Sequence, residues 1–208
     1  MNLCYNKYMK QKKPNLSRVL DFQKLMGQFS QIERHSHRKR GTKFVSENDT
    51  EHSYDLAMTA WFISQYFPEL DSNKIIRLAL VHDLVEIYAG DVFAHSSAEE
   101  QKKKLISEAK SIKKIVKDWP DFPEMLGAIK DYEKRDTPEA RFVYALDKIM
   151  PPMLIYINDG YSWRANGVTV KMFYDNKVEK MKLSPEIFPY FDELYELLLT
   201  RPDLIKRV

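Results

Sequence analysis

Residues 71–90 read DSNKIIRLALVHDLVEIYAG, and the assignment of the fold turns on them. Asp71 or Ser72 caps the start, Ile75, Ile76, Ala79, Leu80, Leu84 and Ile87 recur at helical spacing, and Gly90 stands at a C-terminal cap position. Within that apolar run lie His82 and Asp83, with Glu86 one turn further on. Glu86 follows His82 by four residues and Asp83 by three, so a continuous helix puts all three on one face. An unpaired buried carboxylate costs several kcal/mol. Asp83 therefore demands a metal, a cation or a set of hydrogen-bond donors.

The same conflict recurs elsewhere. Thr137-Pro138-Glu139 opens a helix whose stripe Val143, Leu146, Asp147, Met150 is apolar except for the aspartate, and the Pro151-Pro152 pair is expected to kink or end it. Asp49 or Thr50 is expected to cap another helix, which carries His52 near its start and a stripe of Tyr54, Ala57, Met58, Trp61, Phe62 and Tyr66. Helical spacing also marks Leu16 to Ile32, Ala98 to Trp119 with Leu105, Ala109, Ile112 and Val116 inward, Pro123 to Lys134, and a last helix opened by Ser184-Pro185-Glu186 and reaching Leu199. Two polar stretches read as loops: Arg34 to Asp49, RHSHRKRGTKFVSEND, and Asn158 to Gly167, NDGYSWRANG. No strand alternation or internal repeat stands out. The expectation is an all-α, single-domain helical bundle over residues 15–208, preceded by a flexible segment 1–14.

Composition sets the outer limits. With 208 residues, 44% of them hydrophobic and only six Gly, the chain can bury one sizeable core and is neither disordered nor low-complexity. Its longest uncharged stretch, Leu56 to Pro68, is far too short to span a membrane. A polar, lysine-bearing N-terminus and the lone Cys4 point to a reducing cytoplasm rather than a secretory route. Lys+Arg 33 against Asp+Glu 30 gives a net charge of +3, too small to imply nucleic acid as a partner.

Taken singly, each charged residue has a plain structural explanation: an exposed histidine, or an aspartate paired with an arginine. Together, His52, His82, Asp83 and Asp147 offer the mixed nitrogen and oxygen donors that hold a divalent transition metal, with a buried salt-bridge network as the alternative.

The order His52, His82-Asp83, Asp147 resembles the H…HD…D signature of the HD-domain metal-dependent phosphohydrolases. The neighbourhoods TEHSYDLAMTA (50–60), ALVHDLVEIYAGD (79–91) and EARFVYALDKI (139–149) resemble the 5′-deoxynucleotidase branch of that family, over about Gln31 to Ile149. That resemblance implies an HD domain followed by a C-terminal helical extension. It also implies one divalent ion (Mn, Co, Mg, Zn, Ni or Fe) held by His52, His82, Asp83 and Asp147, and release of phosphate from nucleoside 5′-monophosphates, above all deoxyribonucleotides, by a metal-activated water. Glu86 would orient or deprotonate that water, and Asp91 would position the sugar or assist proton transfer, against the alternative of a loop-closing carboxylate.

The family's phosphate-binding arginine falls by motif position on Arg34. The RHSHRKR sequence lacks the tryptophan that usually follows it, so Arg38 or Arg40 could take its place. His35 and His37 form an H-x-H pair that is either a ligand set or loop surface, and His95 could line the entrance.

Homodimers are common in the family, and Ile187 to Leu199 could form such an interface or cap the core. Competing enzyme readings are other HD hydrolases acting on polyphosphates or cyclic nucleotides. Gly160-Tyr161 is followed by Ser162 rather than the proline of the cyclic-dinucleotide group. A non-catalytic binder using the lysines of Lys102 to Lys117 ranks lower, because Glu100, Glu108 and Asp118 interrupt them.

Overall fold

A computed structural model describes residues 13–91 and 96–204. Most of the N-terminal segment with Cys4, and His95, lie outside the described residues. The chain is dominated by helices: α1 (Leu16–Phe29), α2 (Asp49–Ser64), α3 (Ser72–Val81), α4 (Glu86–Ala89), α5 (Ala98–Asp118), α6 (Pro123–Lys134), α7 (Pro138–Ile157), α8 (Tyr161–Asn166), α9 (Val170–Met181) and α10 (Phe188–Leu199), with a 3₁₀ turn at Pro202–Leu204. Among the described residues no helix is long and apolar enough to cross a membrane.

The centre of the molecule is α7. Ala140, Phe142, Val143, Ala145, Leu146 and Ile149 are all fully buried, so the helix is enclosed nearly all round and forms the axis of the main core. Leu56, Ala60, Ile75, Leu78, Phe173 and Phe191 pack into the same core from α2, α3, α9 and α10. A second cluster joins Leu25 and Phe29 of α1 to Leu84, Val85, Ile115 and Trp119. Through Phe191, Leu194 and Leu198, α10 caps the main core.

Several sequence expectations need correction. The stretch read as a loop from Arg34 is an antiparallel hairpin of β1 (Glu33–Arg40) and β2 (Lys43–Asn48), with Gly41 at φ +61° in the turn. The edge of β1 is satisfied by side chains, since the His37 and Lys39 amides donate to Ser162 Oγ and Asn158 Oδ1 at 3.0 and 2.9 Å, and Phe44 stacks on Tyr161 at 4.2 Å. The second supposed loop holds α8, bounded by Gly160 and Gly167 in left-handed conformation. Pro151 and Pro152 lie inside α7, where their missing N–H groups leave the carbonyls one turn earlier without helix bonds, yet the helix continues to Ile157.

The helix begun at Asp71 is broken. It ends at Val81, and the amides of Leu84 and Glu86 bond three residues back, to Val81 and Asp83, before α4 resumes. The cap of α2 is Asn48, paired with Glu51 in a capping box, so Asp49 is the first helical residue and is fully buried. Of the expected stripe of α2 only Ala57 is buried: Tyr54, Met58, Trp61, Phe62 and Tyr66 are exposed, and Leu56, Ala60 and Ile63 join Ala57 to form the buried face. On α5, Leu105 and Val116 are exposed while Ser111 and Ile115 are buried. The last helix starts at Phe188, later than Ser184, with Pro189 in its first turn.

A Cβ at Gly160 (φ +71°) would lie 2.1 Å from the Leu204 carbonyl oxygen, whereas one at Gly41 meets nothing within 4 Å. Gly41→Ala should cost about 1–2 kcal/mol from backbone conformation alone, and Gly160→Ala should lower the melting temperature further. Equal melting temperatures for the two variants would contradict the close approach of the C-terminal turn.

Candidate metal centre

Four side chains converge in the interior, three of them, His82, Asp83 and Asp147, on the wall of the main cavity and the fourth, His52, beside a smaller one. His52 comes from the first turns of α2, His82 and Asp83 from the break after α3, and Asp147 from the middle of α7. One donor atom from each lies within 4.8 Å of the others. His52 Nε2 is 2.9 Å from Asp147 Oδ1, and His82 Nε2 is 2.9 Å from Asp83 Oδ2 and 3.6 Å from Asp147 Oδ1. His52, His82 and Asp147 are almost wholly buried; the Asp83 side chain retains 13% exposure toward the cavity.

The donor set fits a metal. His82 Nδ1 lies 2.8 Å from the Ala79 carbonyl, an arrangement in which Nδ1–H donates and Nε2 presents its lone pair to the cluster. That Nε2 is buried and makes no aligned hydrogen bond, although two carboxylates stand near it. Two imidazole nitrogens and two carboxylate oxygens suit a divalent transition ion.

Without an ion, protons and cations hold the charges together. Burial disfavours the His82 imidazolium, but Asp83 and Asp147 outweigh it and push the group up to about 10. Burial likewise opposes ionisation of both aspartates. His82 and Arg34 outweigh it at Asp83, and Lys148, His52 and His82 do so at Asp147, holding both well below the usual carboxylate range. Lys148 Nζ donates to Asp147 Oδ2 at 2.6 Å, and the Tyr132 hydroxyl donates to the same oxygen at 3.2 Å.

The other sequence candidates separate by position. Glu86 lines the cavity and is buried. Its Oε1 accepts from Lys104 Nζ at 3.0 Å while Oε2 has no partner, and burial, reinforced by Asp83, raises it to about 9. Asp91, just past Gly90, lines the same cavity. Arg34 also reaches it, bridging Asp49 and Asp83 through Nη1 at 2.9 and 2.5 Å. Arg38 lies outside it, paired with Glu47 and Asp55 beside a smaller cavity of about 230 Å³. Arg40 pairs with Glu51. His35 lines the main cavity, and His37 Nδ1 is 3.0 Å from Ser162 Oγ, so the pair does not converge on one point.

Residues that sequence reasoning missed support this arrangement. Glu47 accepts from Ser36 Oγ at 2.5 Å and stands 3.8 Å from His52 Nδ1. Asp49 is pushed up to about 6 by burial and by Asp83, against the pull of Arg34, and forms with Asp83 and Glu86 a second acidic group. Arg34 already supplies that group with a cation. A signal for Glu47 and Asp49 existed in the VSENDTEH run, where carboxylates precede His52 at short intervals, but a loop reading gave them no inward direction.

The chain matches the family model described as HD domain over residues 26–188, and it belongs to the HD-domain family. Among curated relatives, 5′-deoxynucleotidase HDDC2 of Xenopus laevis is 29% identical over 181 residues, covering 86% of each chain. The human protein of the same name is 28% identical, over 85% of this chain and 84% of its own. A crystal structure of a protein described as a "predicted metal-dependent phosphohydrolase" from Magnetospirillum magnetotacticum MS-1 matches with a TM-score of 0.73 and 26% identity, covering 91% of this chain and 95% of that one.

In the metal-free protein His82 and Glu86 titrate above their ordinary values of 6.5 and 4.5. Each therefore favours the fold below its ordinary value and loses that contribution as pH rises toward about 10 and about 9. Asp83 and Asp147 act in the opposite sense, stabilising above 3.8 and losing the contribution on acidification. Chelated protein should melt highest near about pH 5–6 and lower at about pH 9. A melting temperature that climbs steadily between those values would contradict the charge arrangement.

Proposed function

We propose that the chain is a divalent-metal-dependent phosphohydrolase that releases phosphate from nucleoside 5′-monophosphates, with deoxyribonucleotides as the preferred class. The observation that carries this reading is the buried cluster of His52, His82, Asp83 and Asp147 at a cavity of about 370 Å³, beside an unpartnered oxygen of Glu86. The deoxynucleotide preference is supported by the relatives named 5′-deoxynucleotidase.

His52, His82, Asp83 and Asp147 would hold the divalent ion, which would supply a lowered water pKa and a pull of charge from phosphorus. Glu86 lines the cavity with its Oε2 unpartnered, and it takes the proton as water attacks phosphorus and the bond to the 5′ oxygen breaks; the departing nucleoside oxygen regains a proton. Lys104 holds the other Glu86 oxygen and so fixes its orientation. Burial is the main cause that raises Glu86 and the Asp83 charge the next; a cation held at Asp83 would offset the second, so that a larger fraction of Glu86 would be ionised and able to accept a proton. Arg34, held by Asp49 and Asp83, directs its charge along the cavity wall toward a phosphate oxygen. Asp91 serves the sugar or the proton on the leaving oxygen.

A nucleic-acid role is disfavoured by local charge pairing on α5, where Lys103–Glu99, Lys104–Glu108 and Lys114–Asp118 lie at 2.7, 3.5 and 2.9 Å. We also propose a cytoplasmic location, supported by the single Cys4, and a homodimer, supported by the exposed apolar residues on α2. Light scattering on the purified chain tests the assembly.

Phosphate release from deoxyribonucleoside monophosphates, compared with ribonucleotides and with Mn, Co, Mg and Zn, should be abolished by chelation and by His82→Ala. Glu86→Gln should retain metal and lower kcat about 10²- to 10⁴-fold. Wild-type protein that releases no phosphate with any metal and nucleotide would overturn the assignment.

A further inference from the structure

The wall of the main cavity formed by α7 and α9 carries three lysines, Lys148, Lys177 and Lys180. Lys177 and Lys180 are three residues apart on α9 and so share one face. Lys177 is only 8% exposed, yet among the described residues its ammonium makes no ion pair and no hydrogen bond. Lys180 has only the Asn176 amide oxygen, at 3.3 Å.

The other cations of the cavity are engaged. Arg34 lies 2.5 Å from Asp83, Lys148 lies 2.6 Å from Asp147, and Lys104 lies 3.0 Å from Glu86. The Arg135 guanidinium lies over the Tyr144 ring at 4.7 Å. Lys177 is thus a buried ammonium without a counter-charge. Burial, then repulsion from Lys148 and Lys180, lowers it to about 7. In its charged form such a group is costly to bury, and an anion that enters from outside stabilises that form. Its surroundings place that anion: Lys177, Lys180, Arg34, Asp83 and Asp147 all line the same cavity, and Asp147 and Arg34 are near enough to act on Lys177 electrostatically.

We propose that Lys177, with Lys180 beside it, forms an anion seat adjoining the metal centre that receives the phosphoryl group of the substrate and afterwards the inorganic phosphate product. The identity of the anion as the scissile phosphate rests on the phosphohydrolase reading; the seat itself rests on the unpaired buried cation. On this account Arg34 and Lys177 approach the phosphate from different elements, the β-hairpin and α9, and Lys177 contributes most because, among the described residues, no carboxylate pairs with it directly. Removing an uncompensated buried charge also relieves the fold, so the seat is held at some expense of stability.

Calorimetric titration of inorganic phosphate into metal-loaded wild type, Lys177→Met and Lys177→Arg tests this, together with KM for a deoxynucleoside monophosphate and the melting temperature of each. Lys177→Met should weaken phosphate binding and raise KM about 10- to 100-fold, keep its metal, and melt at or above the wild-type temperature; Lys177→Arg should recover part of the affinity. Unchanged phosphate affinity in Lys177→Met overturns the seat, as does a lowered melting temperature with no recovery in Lys177→Arg. A wild type that binds phosphate through Lys177 but hydrolyses no nucleotide would uphold the seat and overturn the enzyme assignment. Lys177-dependent binding of nucleoside bisphosphates without any effect on monophosphates would overturn the placement at the scissile group.

Discussion

Four ionisable side chains packed into the apolar interior, His52, His82, Asp83 and Asp147, impose the constraint to which the surrounding structure answers. Two carboxylates a few ångströms apart repel and pay a desolvation penalty that packing alone does not offset. In the metal-free protein the His82 proton, Arg34 and Lys148 supply the compensating positive charge. All three are held in place by neighbours. The Ala79 carbonyl fixes the His82 ring, Asp49 anchors Arg34, and Lys148 follows Asp147 on α7.

The architecture reads as a scaffold for that cluster. Enclosure of α7 on nearly every side puts Asp147 where water is scarce. The tightened turns at residues 82–85 stop α3 at its histidine and let Glu86 begin a new short helix, so His82 and Glu86 reach one cavity from adjacent segments. The hairpin, tied to α8 through Ser162 and to α7 through Asn158, brings Arg34, Ser36 and Glu47 over the site. On the far wall α9 brings Lys177 and Lys180, so the cavity has acidic residues on one side and unpaired ammonium groups on the other.

The helices were legible from hydrophobic spacing and the clustered charges from its violation: an aspartate among Val143, Leu146 and Met150, or His82-Asp83 inside LALVHDLVE, signals a buried charge. The hairpin was not legible, since Ser36 and Glu47, its most buried residues, are polar and serve the site, leaving no apolar alternation to read. On α2 two faces have helical spacing. The larger side chains, Tyr54, Trp61 and Phe62, outweigh Leu56, Ala60 and Ile63 in any pattern, although tight packing against α3 and α7 selects the smaller set. Lys177 was hidden for the opposite reason: a lysine among Lys171 and Lys180 on a polar helix reads as solvated surface, and only the cavity behind it shows that it is enclosed.

Two groups of donors share Asp83, the mixed set with His52, His82 and Asp147, and the all-carboxylate set with Asp49 and Glu86. The proposed metal belongs to the first, whereas the second already holds the Arg34 guanidinium. Anomalous diffraction from crystals of the metal-loaded chain distinguishes them directly. The expected result is one ion bound by the imidazole nitrogens of His52 and His82 and by carboxylate oxygens of Asp83 and Asp147. An ion seated on Asp49, Asp83 and Glu86, or no ion after loading, would contradict it.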